Sequence, residues 1–272
     1  MKKINLHSHT TYCDGINNVE DMVLAAIDKG FDVFGFSGHS YLDFDDSWCM
    51  SPEKTQNYLD EIKKLSAKYQ GKIKIFCGVE QDYLSSTPVD EYDYVIGSVH
   101  VIYKDGKYIS VDYTADHLIQ HINECYGGDS LALAEDYFQM IGNVHDKTNC
   151  NIIGHFDLLT KFNEKTPIFD TSHPRYIAAV DKALSKLLTK NVIFEVNTGA
   201  ISRGYRTSPY PSTEILTKIK QCGGKVIISS DTHSVDSVDA CFEEALEFIK
   251  RCGFTKISAI DEKGNFYEEA ID

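Results

Sequence analysis

Lys225-Val226-Ile227-Ile228-Ser229-Ser230-Asp231-Thr232-His233 is a short apolar run that ends in two side chains able to bind a metal. Its nearly continuous β-branched core predicts a strand covered on both faces, Lys225–Ser229. Just before it, Gly223-Gly224 stops a helical pattern at Thr213–Cys222. Asp231 and His233 stand two positions apart, so on an extended backbone both point to one side.

The same pattern recurs upstream. Strands are expected at Lys3–Leu6, Val33–Ser37, Ile73–Val79, Tyr94–Val99, Asn151–Ile153 and Val192–Val196, with Lys256–Ala259 a further candidate. His7 and His9 follow the first of these, His39 the second and Glu80 the third, while His100 closes the fourth and His155 the fifth. Helical patterns separate them: Val19–Asp28 after Asn17-Asn18, Pro52–Tyr69 after Ser51, Ser130–Thr148, Pro174–Lys190 after His173, and Val238–Cys252. Strand and helix in alternation imply a mostly parallel sheet with helices outside it. Seven or eight such units suit a closed barrel, because an open doubly wound sheet usually carries a glycine-rich nucleotide turn and none is present. In a barrel the carboxyl ends of all strands open on one face, so residues far apart in sequence converge there. One residue of this kind after one strand is a helix cap or a hydrogen-bonded histidine. Six strands doing the same require a common cause.

The chain has 272 residues, 41 acidic and 27 basic, for a formal charge of −14. With 42% hydrophobic and 25% charged residues it has the composition of a globular protein. No repeat or linker divides residues 1–272, so a single domain is expected, with an insertion in the long stretch 101–149. The acidity argues against nucleic acid, whose phosphates need basic stripes, and favours a small or cationic ligand, or one whose negative charge a metal meets. No apolar stretch approaches the roughly 18 residues of a membrane span, and Met1-Lys2-Lys3 leads into His7, Ser8 and His9 rather than a signal sequence. Eight scattered cysteines without a Cys-x-x-Cys pair suggest reduced thiols and a cytoplasmic location; oligomeric state is not legible. Imidazoles with carboxylates suit Zn²⁺, Mn²⁺ or Fe²⁺.

His7-Ser8-His9-Thr10, Asp14-Gly15, Gly38-His39, Gly78-Val79-Glu80, Ile96-Gly97-Ser98-Val99-His100, Gly154-His155 and Ser230-Asp231-Thr232-His233 together resemble the ordered motifs of the PHP (polymerase and histidinol phosphatase) family, its monofunctional histidinol-phosphatase branch above all. The resemblance implies an α/β fold, a distorted (β/α)7 TIM-like barrel with its metal site at the carboxyl ends of the strands, and up to three divalent ions. Carried over by motif, His7, His9, Glu80 and Asp231 would hold the first ion. Glu80 would bridge to a second held by His100 and His155, and Asp14, His39 and His233 would hold the third. Asn5 and Gly38 depart from the acidic residues of many relatives, and Asp14 stands where some have His. Asn5 and Gly38 are not ligand positions, so altered hydrogen bonding around the ligands is expected there.

The implied reaction is hydrolysis of L-histidinol phosphate to L-histidinol and phosphate by a metal-activated hydroxide, with Glu80, Asp231 and His233 as catalytic residues. A phosphate monoester also wants cationic contacts outside the metals. Arg203 and Arg206, in the loop after Val192–Val196, and Lys161 after His155 lie on the required face. The loop Ser40–Trp48, with Asp43, Asp45, Asp46, Tyr41, Phe44 and Trp48, suits the cationic end of the substrate, Asp45 in particular. Other PHP chemistry, on a nucleotide, oligonucleotide or phosphotyrosine, and a non-catalytic metal-stabilised module are the competing readings. His117 and His121 lack the glutamate of a zinc-protease helix and read as surface histidines, with a role in gating the pocket the alternative. His145 and His173 read as helix residues without a site role. No G-x-S-x-G elbow points to covalent catalysis.

Overall fold

Seven parallel strands pair in the order β1-β2-β3-β4-β7-β8-β9 in the computed structural model, which describes residues 1–271. They are β1 (Ile4–Asn5), β2 (Val33–Phe36), β3 (Lys74–Asp82), β4 (Tyr94–Ser98), β7 (Ile152–Ile153), β8 (Ile193–Asn197) and β9 (Lys225–Ser229). Two antiparallel hairpins stand apart from this sheet, β5 (Val101–Lys104) with β6 (Lys107–Ser110) and β10 (Lys256–Ile260) with β11 (Phe266–Ala270). A parallel bridge between Ser8 and Thr232 draws the two edges together. There the His9 amide donates to the Thr232 carbonyl at 2.8 Å, and the Thr232 amide to the His7 carbonyl at 3.2 Å. Closure therefore falls between the first and last motifs of the sequence and sets them side by side. The fold is a nearly closed seven-stranded α/β barrel.

The helices are α1 (Val19–Asp28), α2 (Pro52–Lys68), α3 (Ala115–Tyr126), α4 (Ser130–Gly142), α5 (Val144–Thr148), α6 (Pro174–Leu187), α7 (Gly199–Ser202), α8 (Thr213–Gln221) and α9 (Phe242–Arg251). Asn18 and Ser51 cap α1 and α2 through their side chains, and Pro52 occupies the first turn of α2. Along β3 the strand period of two divides the side chains: Ile75 and Val79 join the large core under the helices, while Phe76 joins a second cluster. That inner cluster contains Leu6, Val33, Tyr94, Ile96, Ile152, Ile193 and Ile227, and β10 adds Ala259 and Ile260.

Tyr94 ties this interior together. Its hydroxyl lies 2.5 Å from the Leu6 carbonyl and 2.9 Å from that of Phe36. Its ring fits only because two glycines face it: a Cβ on Gly78 would fall 2.3 Å from the ring and one on Gly35 2.4 Å from the hydroxyl. The Gly78-Val79-Glu80 motif thus begins with a packing requirement. Gly78→Ala is expected to cost roughly 1–3 kcal/mol through overpacking, read as a lower urea midpoint. An unchanged midpoint would mean that the ring moves aside without cost.

Some elements differ from the sequence reading. Ser130–Thr148 is two helices, because Asn143, at φ −103° and ψ −1°, leaves helical geometry between Gly142 and Val144; Gly142 itself packs on Ala183 of α6, where a Cβ would come within 2.9 Å. The last helix begins at Phe242 rather than Val238: residues Val235–Ser237 form a 3-10 turn, and Cys241 adopts a left-handed backbone at φ 57°. Helix α3, unassigned in sequence, is capped by Thr114 and stopped by Gly127. Strand β3 runs through Glu80 to Asp82 instead of ending at Val79, and Lys256–Ala259 lies in β10, outside the barrel sheet. Residues 101–149 hold the β5–β6 hairpin and α3, α4 and α5. Among the described residues no helix is long and apolar enough to cross a membrane, and all eight cysteines are free.

Candidate metal centre

The nine residues singled out as ligands meet at the carboxyl ends of the strands. Glu80, near the end of β3, is their hub. Its Oε1 lies 2.8 Å from His155 Nε2 and 3.3 Å from His100 Nε2. Its Oε2 lies 3.1 Å from His7 Nε2, 3.0 Å from His39 Nδ1 and 3.6 Å from His9 Nε2. Asp231, just past β9, approaches His9 Nε2 at 3.2 Å and His7 Nε2 at 3.6 Å. Asp14 reaches His233 Nε2 at 3.0 Å and His39 Nε2 at 3.6 Å.

Four overlapping groups could each hold an ion, their ligand atoms within 4.8 Å of one another: His7 with His9 and Asp231, His7 with Glu80 and His155, His39 with Glu80 and His100, and His9 with Asp14, His39 and His233. The two oxygens of Glu80 face two different sets of imidazoles. His39 serves two groups, with Nδ1 toward Glu80 and Nε2 toward Asp14.

The electrostatics point the same way. His7, His9 and Glu80 are essentially inaccessible to solvent, yet His7 Nε2, His9 Nε2 and Glu80 Oε2 make no hydrogen bond. Three such atoms at one point would be costly unless a cation satisfied them. Burial, reinforced by His233 and His39, pushes His9 down to about 3, which keeps the imidazole neutral and fit to bind metal. Burial would lower His7 too, but Glu195, Glu80 and Asp231 outweigh it and hold it well above the ordinary value. His39 is pushed up to about 9, Asp14 and Glu80 outweighing burial. Burial would raise the Glu80 and Asp231 carboxyls, but the imidazoles around Glu80, and Arg203 with His7 beside Asp231, hold both well below the usual range.

Above the cluster opens a cavity of about 750 Å³. Arg203, Lys161 and Asp45 all line it, with Trp48, Asp112, Tyr205 and Tyr210. Arg203 donates to the Asp231 carbonyl at 2.7 Å and pairs with Asp231 Oδ2 at 3.1 Å. Lys161 is held by Asp112, at 2.8 Å from its carbonyl and 3.2 Å from its carboxylate. Asp45 accepts from the Trp48 indole at 3.1 Å, and Trp48 packs edge-on against His39 at 4.7 Å between ring centres. Arg206 is the exception and corrects the sequence expectation. Its guanidinium sits 4.4 Å from the Tyr210 ring centre and donates to Thr160 at 2.6 Å, buried outside the cavity lining. Its place in a binding loop was legible, but the direction of its side chain was not.

Of the other histidines, His117 reaches the cavity wall, its ring 4.2 Å from that of His121. His173 caps α6, accepting from the Arg175 amide at 3.1 Å, and His145 meets the Cys150 carbonyl at 2.9 Å. Asn5 grips the closing seam instead of the metal cluster: its Nδ2 donates to Ser230 Oγ at 2.7 Å and its Oδ1 accepts the His7 amide at 3.1 Å.

Two carboxylates went unnoticed in sequence. Glu195 accepts from His7 Nδ1 at 2.5 Å, and Asp82 lies 3.2 Å from His100 Nδ1 while accepting the His100 amide at 2.8 Å. Both had a signal: Glu195 is a lone acid inside an apolar strand, and Asp82 shares the strand face of Glu80 two residues on.

A family model described as the PHP domain matches residues 5–199. The chain belongs to the PHP domain family. Its PHP relatives include a Schizosaccharomyces pombe protein named "Probable histidinol-phosphatase", 27% identical over 96% of this chain and 90% of that one. A Lactococcus lactis protein named histidinol-phosphatase is 25% identical over 95% and 94%. A solved structure from L. lactis, a histidinol phosphate phosphatase complexed with zinc, L-histidinol and phosphate, superposes with a TM-score of 0.73 at 23% identity, covering 96% of this chain and 98% of that one. That likeness bears on the fold, and it agrees with the barrel described above.

Proposed function

We propose that this PHP protein hydrolyses L-histidinol phosphate to L-histidinol and inorganic phosphate. The observation that carries the reading is the buried convergence of unpartnered imidazole and carboxylate atoms on the floor of a cavity that Arg203 and Lys161 line. Similarity over nearly the whole chain to proteins named histidinol-phosphatases supports the substrate.

By the motifs of the PHP family, His7, His9, Glu80 and Asp231 would hold one ion, Glu80, His100 and His155 a second, and Asp14, His39 and His233 a third; all nine belong to the four converging groups, and this donor set fits Zn²⁺, Mn²⁺ or Fe²⁺. When bound, such ions lower the pKa of a water and neutralise charge on phosphoryl oxygens. The protein's own groups do the rest. Arg203 offers a guanidinium fork at the cavity floor, where it grips the phosphoryl group while keeping Asp231 ionised. Held in that state, Asp231 accepts rather than gives a proton. His233 stands at the more open edge, its Nδ1 3.1 Å from Arg203 and its Nε2 toward Asp14, so as a holder of the third ion it steadies the guanidinium, and the departing alkoxide takes its proton from water in the cavity. Lys161 adds positive charge at the wall. Asp45, Asp112 and the Trp48 ring provide the acidic and aromatic surface for the ammonium and imidazole of the substrate.

The test is phosphate release from L-histidinol phosphate, AMP, phosphotyrosine, a dinucleotide and p-nitrophenyl phosphate, metal-stripped and then with Zn²⁺, Mn²⁺ or Fe²⁺ restored. Turnover that returns with metal, prefers histidinol phosphate by at least about tenfold and disappears in His9→Ala is expected. Equal turnover on the other esters would remove the substrate assignment, and none with any metal would remove the enzyme.

A further inference from the structure

Glu195, in the middle of β8, is 1% exposed and touches neither the cavity nor the candidate ion positions. Four donors surround its carboxylate. Oε1 faces His7 Nδ1 at 2.5 Å and the Ser229 hydroxyl. Oε2 accepts the His155 amide at 2.8 Å and Asn197 Nδ2 at 2.9 Å. An ionised carboxylate has about four lone-pair sites and no proton, so this set fills it and every neighbour must donate. The Nδ1 of His7 therefore carries a proton, which leaves Nε2, facing Glu80 and Asp231, as the one nitrogen of the ring that a metal ion could take.

We infer that Glu195 is a positioning residue that fixes the tautomer and aim of His7 and, through the backbone, the place of His155, so that one buried carboxylate orients ligands carried by two different strands. The inference rests on the reading of His7 and His155 as metal ligands. It explains why an acid is kept inside an otherwise apolar strand, where an unpaired charge would be strongly unfavourable. A carboxylate that merely pins strands together would need neither the imidazole contact nor a defined tautomer.

The experiment compares the metal-stripped full chain with Glu195→Gln, each titrated with Zn²⁺ against a chromophoric chelator, with bound zinc counted by mass spectrometry and folding followed by circular dichroism. Gln keeps the volume but turns an amide donor toward donors. With an unchanged dichroism spectrum, zinc affinity at the tightest sites is expected to fall about 10- to 100-fold, and affinity within about twofold of wild type would overturn the inference. If the unmodified protein binds no zinc, the metal-site reading fails instead, and the two failures are distinct. Should Glu195→Gln not fold, nitrogen-15 NMR of the zinc-loaded wild type decides, with His7 assigned by its loss in His7→Asn. A proton on Nδ1 and a metal-shifted Nε2 are expected; the reverse tautomer would overturn the inference.

Discussion

Glu80→Gln is expected to lower phosphate release from L-histidinol phosphate by more than about 100-fold and to reduce the number of ions bound per chain. Removing a group behind a ligand typically costs about 10- to 100-fold, and removing a bridging ligand should exceed that. The reason lies in the division of labour between the two oxygens. Oε1 faces His100 and His155, and Oε2 faces His7, His9 and His39, so one carboxylate serves both halves of the cluster. Those imidazoles keep it ionised, so Gln removes a full charge, and in either orientation its amide nitrogen points at atoms that should share a cation. Metal counting by mass spectrometry beside kcat checks the result. Full metal content with normal turnover would show that Glu80 neither bridges nor binds.

Arg203→Ala is expected to cost about 100- to 1,000-fold in kcat/KM, at least the loss usual on deleting one hydrogen-bond donor to a transition-state oxyanion. Metal content should stay near that of wild type, because Arg203 is not among the groups that could hold an ion. Arg203→Lys should recover only part of the loss, since an ammonium cannot reproduce the two-nitrogen grip on the Asp231 carbonyl and carboxylate. If metal content falls together with activity, Arg203 acts by holding Asp231 in place, and its contact with phosphate is not needed to explain the effect. Steady-state kinetics with metal analysis on the same samples separates the two roles.

The contrast between Arg203 and Arg206 shows where reading residues in order runs out. Both lie in one loop, three positions apart, and carry the same chemistry. Arg203 follows the short turn α7 and turns in to Asp231, whereas Arg206 turns back beneath the loop to Thr160 and the face of Tyr210. Side-chain direction in an irregular loop depends on distant partners, and no local periodicity encodes it. Glu195 and Asp82 were missed for a related reason. They act on imidazoles 188 and 18 residues away, contacts that exist only once the strands are paired.

Helix breaks followed the same logic. The pattern Ser130–Thr148 reads as one helix, and Asn143, at φ −103° and ψ −1°, divides it in two. Cys241 carries no turn signature, yet its left-handed backbone sets the start of α9.

Chain order alone was enough for the alternation of strand and helix, the barrel class and eight of the nine clustered residues, because apolar period and strand-end position are local properties and a closed parallel sheet must gather its carboxyl ends on one face, whereas Asp14 follows no strand and came only with the resemblance to the PHP motifs. Packing settled which imidazoles face each oxygen of Glu80, which arginine enters the cavity, which nitrogen of His7 faces Glu195 and where the barrel closes. Those are relations between strands distant in sequence, set by distances of about 3 Å that no single segment can specify.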